Sequence, residues 1–416
     1  MLAVLAPMVS GSMVVPSVPT FSKDVAPILY RRCVSCHSDT KIAPFSLLRY
    51  SDVKQRALTI AAVTESKYMP PWKAKPNYGE FSDVAALTPA ERATLKQWAV
   101  GGAPEGDPRD APVPPKFLPG WRLGKPDLIA VPDLPTKIPA EGRDFFRDYL
   151  IDPQITKPTW VRAVDFLPSN QGTVHHIIPA LVKKEEADKL RKMPFDFDDR
   201  SWKQESLKGI EKYNVLGFWS TGASPFVAAK DTAFLINPGD CIVLDVHYKP
   251  KGKVEMEQPQ VAFYFSEAEP KDELSVNVIA TGDIYIQPNE RARFYAIGEA
   301  MKHDTTIYAV WPHMHYLGQT IKAWVKFPAG YAKPLVAIDD WDPEWQLVYF
   351  LKTPMRVPKG SKVYVTGTYD NSAANPRNPH SPPRVVEGGE SSKDEMLFFE
   401  IFKVEHKPKP DPTKKS

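Results

Sequence analysis

The chain has 416 residues, too many for one ordinary core, so two or three domains are expected. A net charge of +3 with no basic stripe argues against a nucleic-acid partner, and no run of eighteen apolar residues is present to span a membrane. The 43 prolines against 22 glycines speak against long helices and for loops, turns and edge strands.

Residues 1–16, MLAVLAPMVSGSMVVP, are apolar and small but carry no Lys or Arg. They read either as the h-region of a signal peptide that lacks its basic start or as a loose end, and residues 1–18 are set apart as a candidate truncated signal segment. The stretch 21–32 places Val25, Ile28, Leu29 and Arg32 at helical spacing. A second helix is expected in TPAERATLKQWAV, where Thr88 is a candidate N-cap, Pro89 fits the first helical position and Glu91 completes a capping box. Gly101 and Gly102 stop it.

Between the helices stands Cys33-Val34-Ser35-Cys36-His37, the C-x-x-C-H attachment signature of c-type haem. Two thiols bond the vinyl groups and the adjacent His reaches the iron. The rival readings are a redox C-x-x-C, which does not need the His, and half a zinc site. Zinc needs further ligands nearby, and residues 1–170 hold no other Cys or His. For the sixth iron ligand Met69 is the candidate, presented by Pro70 and Pro71 on a stiff, non-helical segment; the alternative is a core-filling Met. Residues 19–105 are therefore expected to form a small α-helical cytochrome c domain, of class I type. Because c-type haem is attached outside the cytoplasmic membrane, an exported, periplasmic location is expected.

Residues 106–140 are Pro-rich and read as a semi-rigid linker. Beyond it, CIVLDVHY, VAFYF, TIYAVWPHMHYLG, TIKAWVKF, WQLVYF, KVYVTGTY and EMLFFEIFKV are strand-like runs parted by turn residues. They suggest two antiparallel β-sandwich, jelly-roll-like domains, 141–268 and 269–406, with the break near Glu267–Glu273 and a tail at 407–416. Cys241, alone, reads as a small buried hydrophobe.

The histidines after residue 170 are grouped: His175-His176, His247 in VLDVHY, and His313 with His315 in PHMH. Side chains alternate along a strand, so His313 and His315 share a face and can bind one metal, with Trp311 beside them. His175 and His176 point to opposite faces of a regular strand. They can share an ion at a bulge, at a strand end, or through different ring nitrogens. Imidazole suits copper and zinc, and an added thioether, for which Met396 is the candidate, moves the choice toward Cu(I).

The run TVHH, the run VL-x-VHY, H-x-H followed by Leu-Gly, and a late Glu-Met together resemble the copper type II, ascorbate-dependent monooxygenases, over about residues 140–405. The resemblance implies two antiparallel β-sandwiches facing each other across a solvent-filled cleft, with one copper on each, acting as an uncoupled dicopper pair. It assigns His175, His176 and His247 to an electron-transfer copper and His313, His315 and Met396 to the copper where dioxygen reacts. The implied reaction is R–H + O₂ + 2 e⁻ + 2 H⁺ → R–OH + H₂O on a small organic substrate. The haem would relay electrons from an external donor, either ascorbate or a redox protein. Where peptide-hydroxylating members of the family have a carboxylate-gripping Arg and a substrate-contacting Tyr, this chain has Trp311 and Glu400. These two are candidate substrate contacts, expected to favour an apolar or aromatic body with a neutral or cationic tip, unless Glu400 points to solvent. Two rivals remain: a non-catalytic copper and haem electron-transfer or copper-binding protein, and a zinc or copper hydrolase.

Overall fold

The computed structural model describes residues 18–39, 43–82, 84–116, 120–196, 198, 200–203, 212–220, 223–389 and 391–408. The candidate signal segment lies almost wholly outside them, as does most of the tail. The chain is mostly β, in several sheets, with only a few short helices. No helix among the described residues is long and apolar enough to cross a membrane. Two compact units emerge, Met1–Pro70 with Ala85–Lys116, and Pro71–Val84 with Phe117–Ser416.

The first unit carries α1 (Ala26–Arg32), α2 (Tyr50–Lys54), α3 (Ala57–Glu65) and α4 (Pro89–Val100). The stretch 21–32 is not one regular helix, because Phe21–Val25 forms a wider π turn that leads into α1. Helix α4 starts as its sequence dictates: the Thr88 hydroxyl accepts from the Glu91 amide (3.1 Å), and the Glu91 carboxylate accepts from the Thr88 amide (2.6 Å). Leu95 and Trp98 of α4 pack with Phe21, Val25, Leu29, Val53 and Ile60 into one buried cluster.

In the second unit a nine-stranded sheet runs in the order Leu128–Ala130, Gln260–Phe265, Thr159–Leu167, Thr232–Ile236, Asp272–Thr281, Leu397–His406, Asp304–His313, Tyr349–Val357, with Phe226–Val227 paired to Thr159–Leu167. Its single parallel contact joins Asp272–Thr281 to Thr232–Ile236, so the sheet continues through the Glu267–Glu273 break without interruption. A five-stranded sheet holds Phe145–Ile151, Cys241–Tyr248, Val174–Val182, Lys212–Val215 and Trp219–Ser220. A four-stranded sheet holds Arg291–Ile297, Lys362–Asp370, Gly318–Lys326 and Ala332–Ile338.

The strands Asp304–His313 and Leu397–His406 contribute to both of the two largest apolar cores among this unit's described residues. Ala309, Trp311, Phe402 and Val404 pack with Ile177, Ile242, Leu244 and Val246 of the five-stranded sheet. Ile307, Val310, Phe399 and Ile401 pack with Ile321, Val325, Val363 and Val365 of the four-stranded sheet. Burial on both faces is why these segments read as near-continuous apolar runs rather than alternating ones.

Part of the expected linker is bound into the second unit. Leu128–Ala130 pairs with Phe263, Ala262 and Val261, and Thr136–Ile138 pairs with Glu257, Met256 and Glu255. Arg122 grips the buried Asp165 carboxylate through its amide (2.7 Å) and its guanidinium (2.8 Å). The segment Pro71–Val84 is likewise held here, by the Lys75 amide on the Ala337 carbonyl (2.7 Å) and by Trp72 set edge-on to Tyr349. WQLVYF enters its strand only at Tyr349. Cys241 is buried as expected, with the Arg191 guanidinium donating to its sulfur at 3.4 Å.

Candidate metal centre

A cavity of about 1200 Å³ in the second unit is lined by His175, His176 and His247, and also by His313, His315 and Met396. All six candidate copper ligands therefore face one space.

The first set depends on a bulge. Along the neighbouring strand His247 pairs with His176 and Tyr248 pairs with Val174, so His175 is the extra residue, swung to the cavity side beside its neighbour. The Nδ1 atoms of His175 and His176 lie 3.3 Å apart, and ligand atoms of the three histidines all fall within 4.8 Å of one another. His247 Nε2–H donates to Asp144 Oδ2 at 2.9 Å, leaving its Nδ1 buried and without a partner. Phe146 stacks on the His247 ring at 4.1 Å. Burial pushes the His175 ring down to about 3 and holds His176 well below its ordinary value, so both are neutral imidazoles with lone pairs available.

The second set uses the other ring nitrogen. His313 ends its strand and His315 stands two residues on, their rings nearly perpendicular at 5.1 Å, while Met314 between them points into the core. His313 Nδ1–H donates to Gln346 Oε1 (2.7 Å), and the Gln346 amide is oriented by its own bond to the Pro343 carbonyl (2.8 Å). His315 Nδ1–H donates to the Asp394 carbonyl (3.1 Å). These bonds engage Nδ1 of each ring and leave Nε2 outside them, and burial lowers both, His315 to about 4. The carboxyl of Glu395, wholly buried, accepts from the amides of His315 (3.0 Å) and Leu317 (2.5 Å), fixing the turn. Gly318 completes it: a Cβ there would meet Met314 and Trp341 side-chain atoms at 2.8 Å. Met396 follows Glu395, with its carbonyl held by the Tyr369 hydroxyl at 2.9 Å.

Residues 274–403 match the model of the copper type II ascorbate-dependent monooxygenase C-terminal domain. The match takes in His313, His315, Met396, Trp311 and Glu400. No curated protein matches the chain significantly. Among solved structures, PNGF-II aligns at 8% identity with a TM-score of 0.26, over 68% of this chain and 65%, under two thirds, of that one. The major capsid protein P2 of bacteriophage PM2 aligns at 7% and 0.24, over 68% and 98%. VP54 of PBCV-1 aligns at 9% and 0.24, over 70% and 97%. Scores this low carry no argument about this chain.

The donor chemistry fits copper on structural grounds: an unpartnered buried Nδ1 in one set, and two imidazoles with a thioether in the other. Trp311 and Glu400 also line the cavity, as register partners on adjacent strands. Glu400 does not point to solvent; it is 1% exposed, on the same face as Met396 and Phe398.

In the first unit, Cys33, Cys36 and His37 share one turn, with the amides of Cys36 (3.2 Å) and His37 (2.9 Å) both donating to the Cys33 carbonyl. Neither thiol is in a disulfide, and burial pushes Cys33 up to about 12. His37 Nδ1–H donates to the Phe45 carbonyl (3.2 Å), leaving Nε2 as the available donor. Two thiols outside any disulfide and an imidazole whose Nδ1 is the nitrogen bonded to the Phe45 carbonyl, on one turn, are a donor set that fits a covalently attached haem. Met69 lies beyond α3, half-buried, its amide on the Val63 carbonyl (3.0 Å). Asp144, Gln346, Asp394, Glu395 and Tyr369 are supporting residues that sequence reasoning missed; only the late Glu-Met pair offered a signal for one of them.

Proposed function

We propose that the chain is a dicopper monooxygenase that hydroxylates a C–H bond of a small organic substrate, with electrons delivered through a c-type haem on Cys33, Cys36 and His37. The observation that carries this reading is the division of donors within one cavity, three histidines on one side and two histidines with Met396 on the other. On this reading the first unit is the cytochrome c domain, with Met69 as sixth iron ligand, and the second unit holds two copper-bearing β-sandwich halves. Copper bound at the two sets supplies the one-electron redox chemistry with dioxygen that a protein of ordinary side chains lacks.

The chain's own residues supply the geometry. Asp144 selects the Nδ1 lone pair of His247, while Gln346 and the Asp394 carbonyl select Nε2 on His313 and His315. A thioether beside two imidazoles favours the reduced metal at the second set. Phe398 and Trp311 furnish apolar surface for a substrate next to it. A simple copper carrier has no use for a cavity of about 1200 Å³ beside its ligands. The external donor is ascorbate or a redox protein, and covalent haem implies an exported, periplasmic protein.

Two measurements test the reading. Denatured protein should give a pyridine haemochrome of c type, one per chain, that acid–acetone does not extract; extractable haem removes the cytochrome. Metal analysis should give two coppers per chain, falling to one in the His313→Ala/His315→Ala variant. Copper unchanged in that variant removes the second set.

A further inference from the structure

Two buried polar atoms on the cavity wall beside the second set have no partner among the described residues: Trp311 Nε1 and Glu400 Oε2. They belong to residues directly opposite each other on neighbouring antiparallel strands, 3% and 1% exposed. Buried polar groups in native proteins are nearly always satisfied, so two orphans on paired residues of a cavity's lining mark a place where something else completes the bonds. Trp311 is fixed in its pose by Phe218 (ring centroids 4.1 Å), His313 (5.3 Å) and Phe398 (5.7 Å), so its N–H cannot turn away to find another acceptor.

The character of the missing partner follows from what surrounds the pair. No ion pair reaches Glu400 among the described residues, and burial alone raises it to about 8, so at neutral pH it is an uncharged carboxyl with one donor and one acceptor. Of the cavity's other charged residues, Lys212 pairs with Asp148 and Asp245, Arg147 with Asp196 and Asp144 with His247, and none of Lys137, Arg143, Lys203 and Asp394 makes an ion pair with Glu400 among the described residues. An ammonium or carboxylate lodged against Trp311 and Glu400 would be stripped of water beside an uncharged carboxyl with which no cation pairs, a cost that hydrogen bonds do not offset. A neutral group with an acceptor lone pair and a donor proton meets all three protein bonds at no such cost.

We propose that this site takes substrates bearing an uncharged hydrogen-bonding group, a hydroxyl or primary amide, on an aromatic or aliphatic body, anchored between the Trp311 indole N–H and the Glu400 carboxyl. The inference rests on the monooxygenase reading only for calling the ligand a substrate; the pocket itself is testable without metal.

Isothermal titration of the copper-free full chain at pH 7 with 2-phenylethanol, 2-phenylethylamine and phenylacetate provides the test. The alcohol is expected to bind about tenfold more tightly than either ion, the worth of roughly one well-made hydrogen bond. Trp311→Phe, which keeps a ring and removes the N–H, and Glu400→Leu are each expected to weaken the alcohol about tenfold. Glu400→Gln, which keeps a neutral donor and acceptor, is expected to retain it within about threefold; this variant carries the test should Glu400→Leu fail to fold. The proposal is overturned if the amine binds best and is lost in Glu400→Gln, since the carboxyl then works as an anion. Equal affinities for the three, no binding of the alcohol, or indifference to Trp311→Phe and Glu400→Leu overturn it as well. Copper counts on the same proteins after reconstitution with copper separate the outcomes: two coppers without selectivity sinks this inference alone, and selectivity without copper uptake sinks the monooxygenase reading alone.

Discussion

Removing the Asp144 carboxylate should weaken metal binding at the first set without touching the second. The His247–Asp144 bond is 2.9 Å long and its side chains are only 6% and 16% exposed, so water does not readily replace it. Burial works to raise Asp144, but the hydrogen bonds from His247 and Ser392 outweigh it and hold the carboxyl well below the usual range. A hydrogen bond to a charged acceptor contributes about 1.5–3 kcal/mol, which at about 1.4 kcal/mol per tenfold corresponds to roughly 10–100-fold in affinity. That is the range in which supporting groups of metal-bound histidines act. Asp144→Ala is expected to lose that amount, and Asp144→Asn, which keeps an acceptor oxygen and loses the charge, about three- to tenfold. The assay is Cu(I) competition against a chromophoric chelator in the His313→Ala/His315→Ala background, so that one site is read. The sign with pH follows from the depressed carboxyl: its contribution to stability is present above its unfolded value and lost only as pH falls through the folded one. The wild-type advantage should therefore be flat between about pH 5 and 8. An Asp144→Ala affinity within about twofold of wild type would refute the reasoning, because the imidazole would then be oriented by something else.

Glu395→Ala strips the acceptor from the His315 and Leu317 amides in a site that is wholly buried. Leaving two such donors unmade should destabilise the chain by about 3–5 kcal/mol, read as a lower urea midpoint, together with loss of the second copper. Glu400→Gln should change how stability depends on pH. Burial raises the carboxyl from 4.5 to about 8, so wild type is fully stabilised below the lower value and loses stability as pH rises through the upper one. The variant should gain on wild type by about 2–4 kcal/mol between pH 5 and 8.5; a difference that does not move with pH would contradict a buried, unpaired carboxyl.

Local rules made part of this site legible. Period-two alternation put His313 and His315 together, and it also put Met396, Phe398 and Glu400 on one face. The same rule set His175 against His176 unless a bulge intervened, and whether one did depended on pairing with a strand some seventy residues away that the sequence does not display. The supporting bonds were invisible for the same reason: Asp144 is 103 residues from His247, Gln346 33 from His313, and Glu395 80 from His315. Composition misled in two places. Proline density made 106–140 look like a linker although Leu128–Ala130 and Thr136–Ile138 carry ladder bonds. The general exposure of Glu pointed Glu400 outward, although its strand is covered on both faces.

That double coverage bears on how the cavity works. The strands that present His313 and Met396 have one face in each apolar core, so shifting the second donor set disturbs Ile307, Val310, Phe399 and Ile401 on one side and Ala309, Phe402 and Val404 on the other. Close-packed cores resist such shifts far more than a surface loop does. Gln346 adds a tie to the opposite wall: its carbonyl accepts from the Ser220 hydroxyl (2.8 Å), and Ser220 pairs with His176 of the first set, while its side chain orients His313 of the second. One residue therefore ties the strand paired with His176 to the orientation of His313. The spacing of the sets is accordingly tied to the packed strands that carry His175, His176, His247 and His313, with His315 and Met396 on the segments that adjoin those strands.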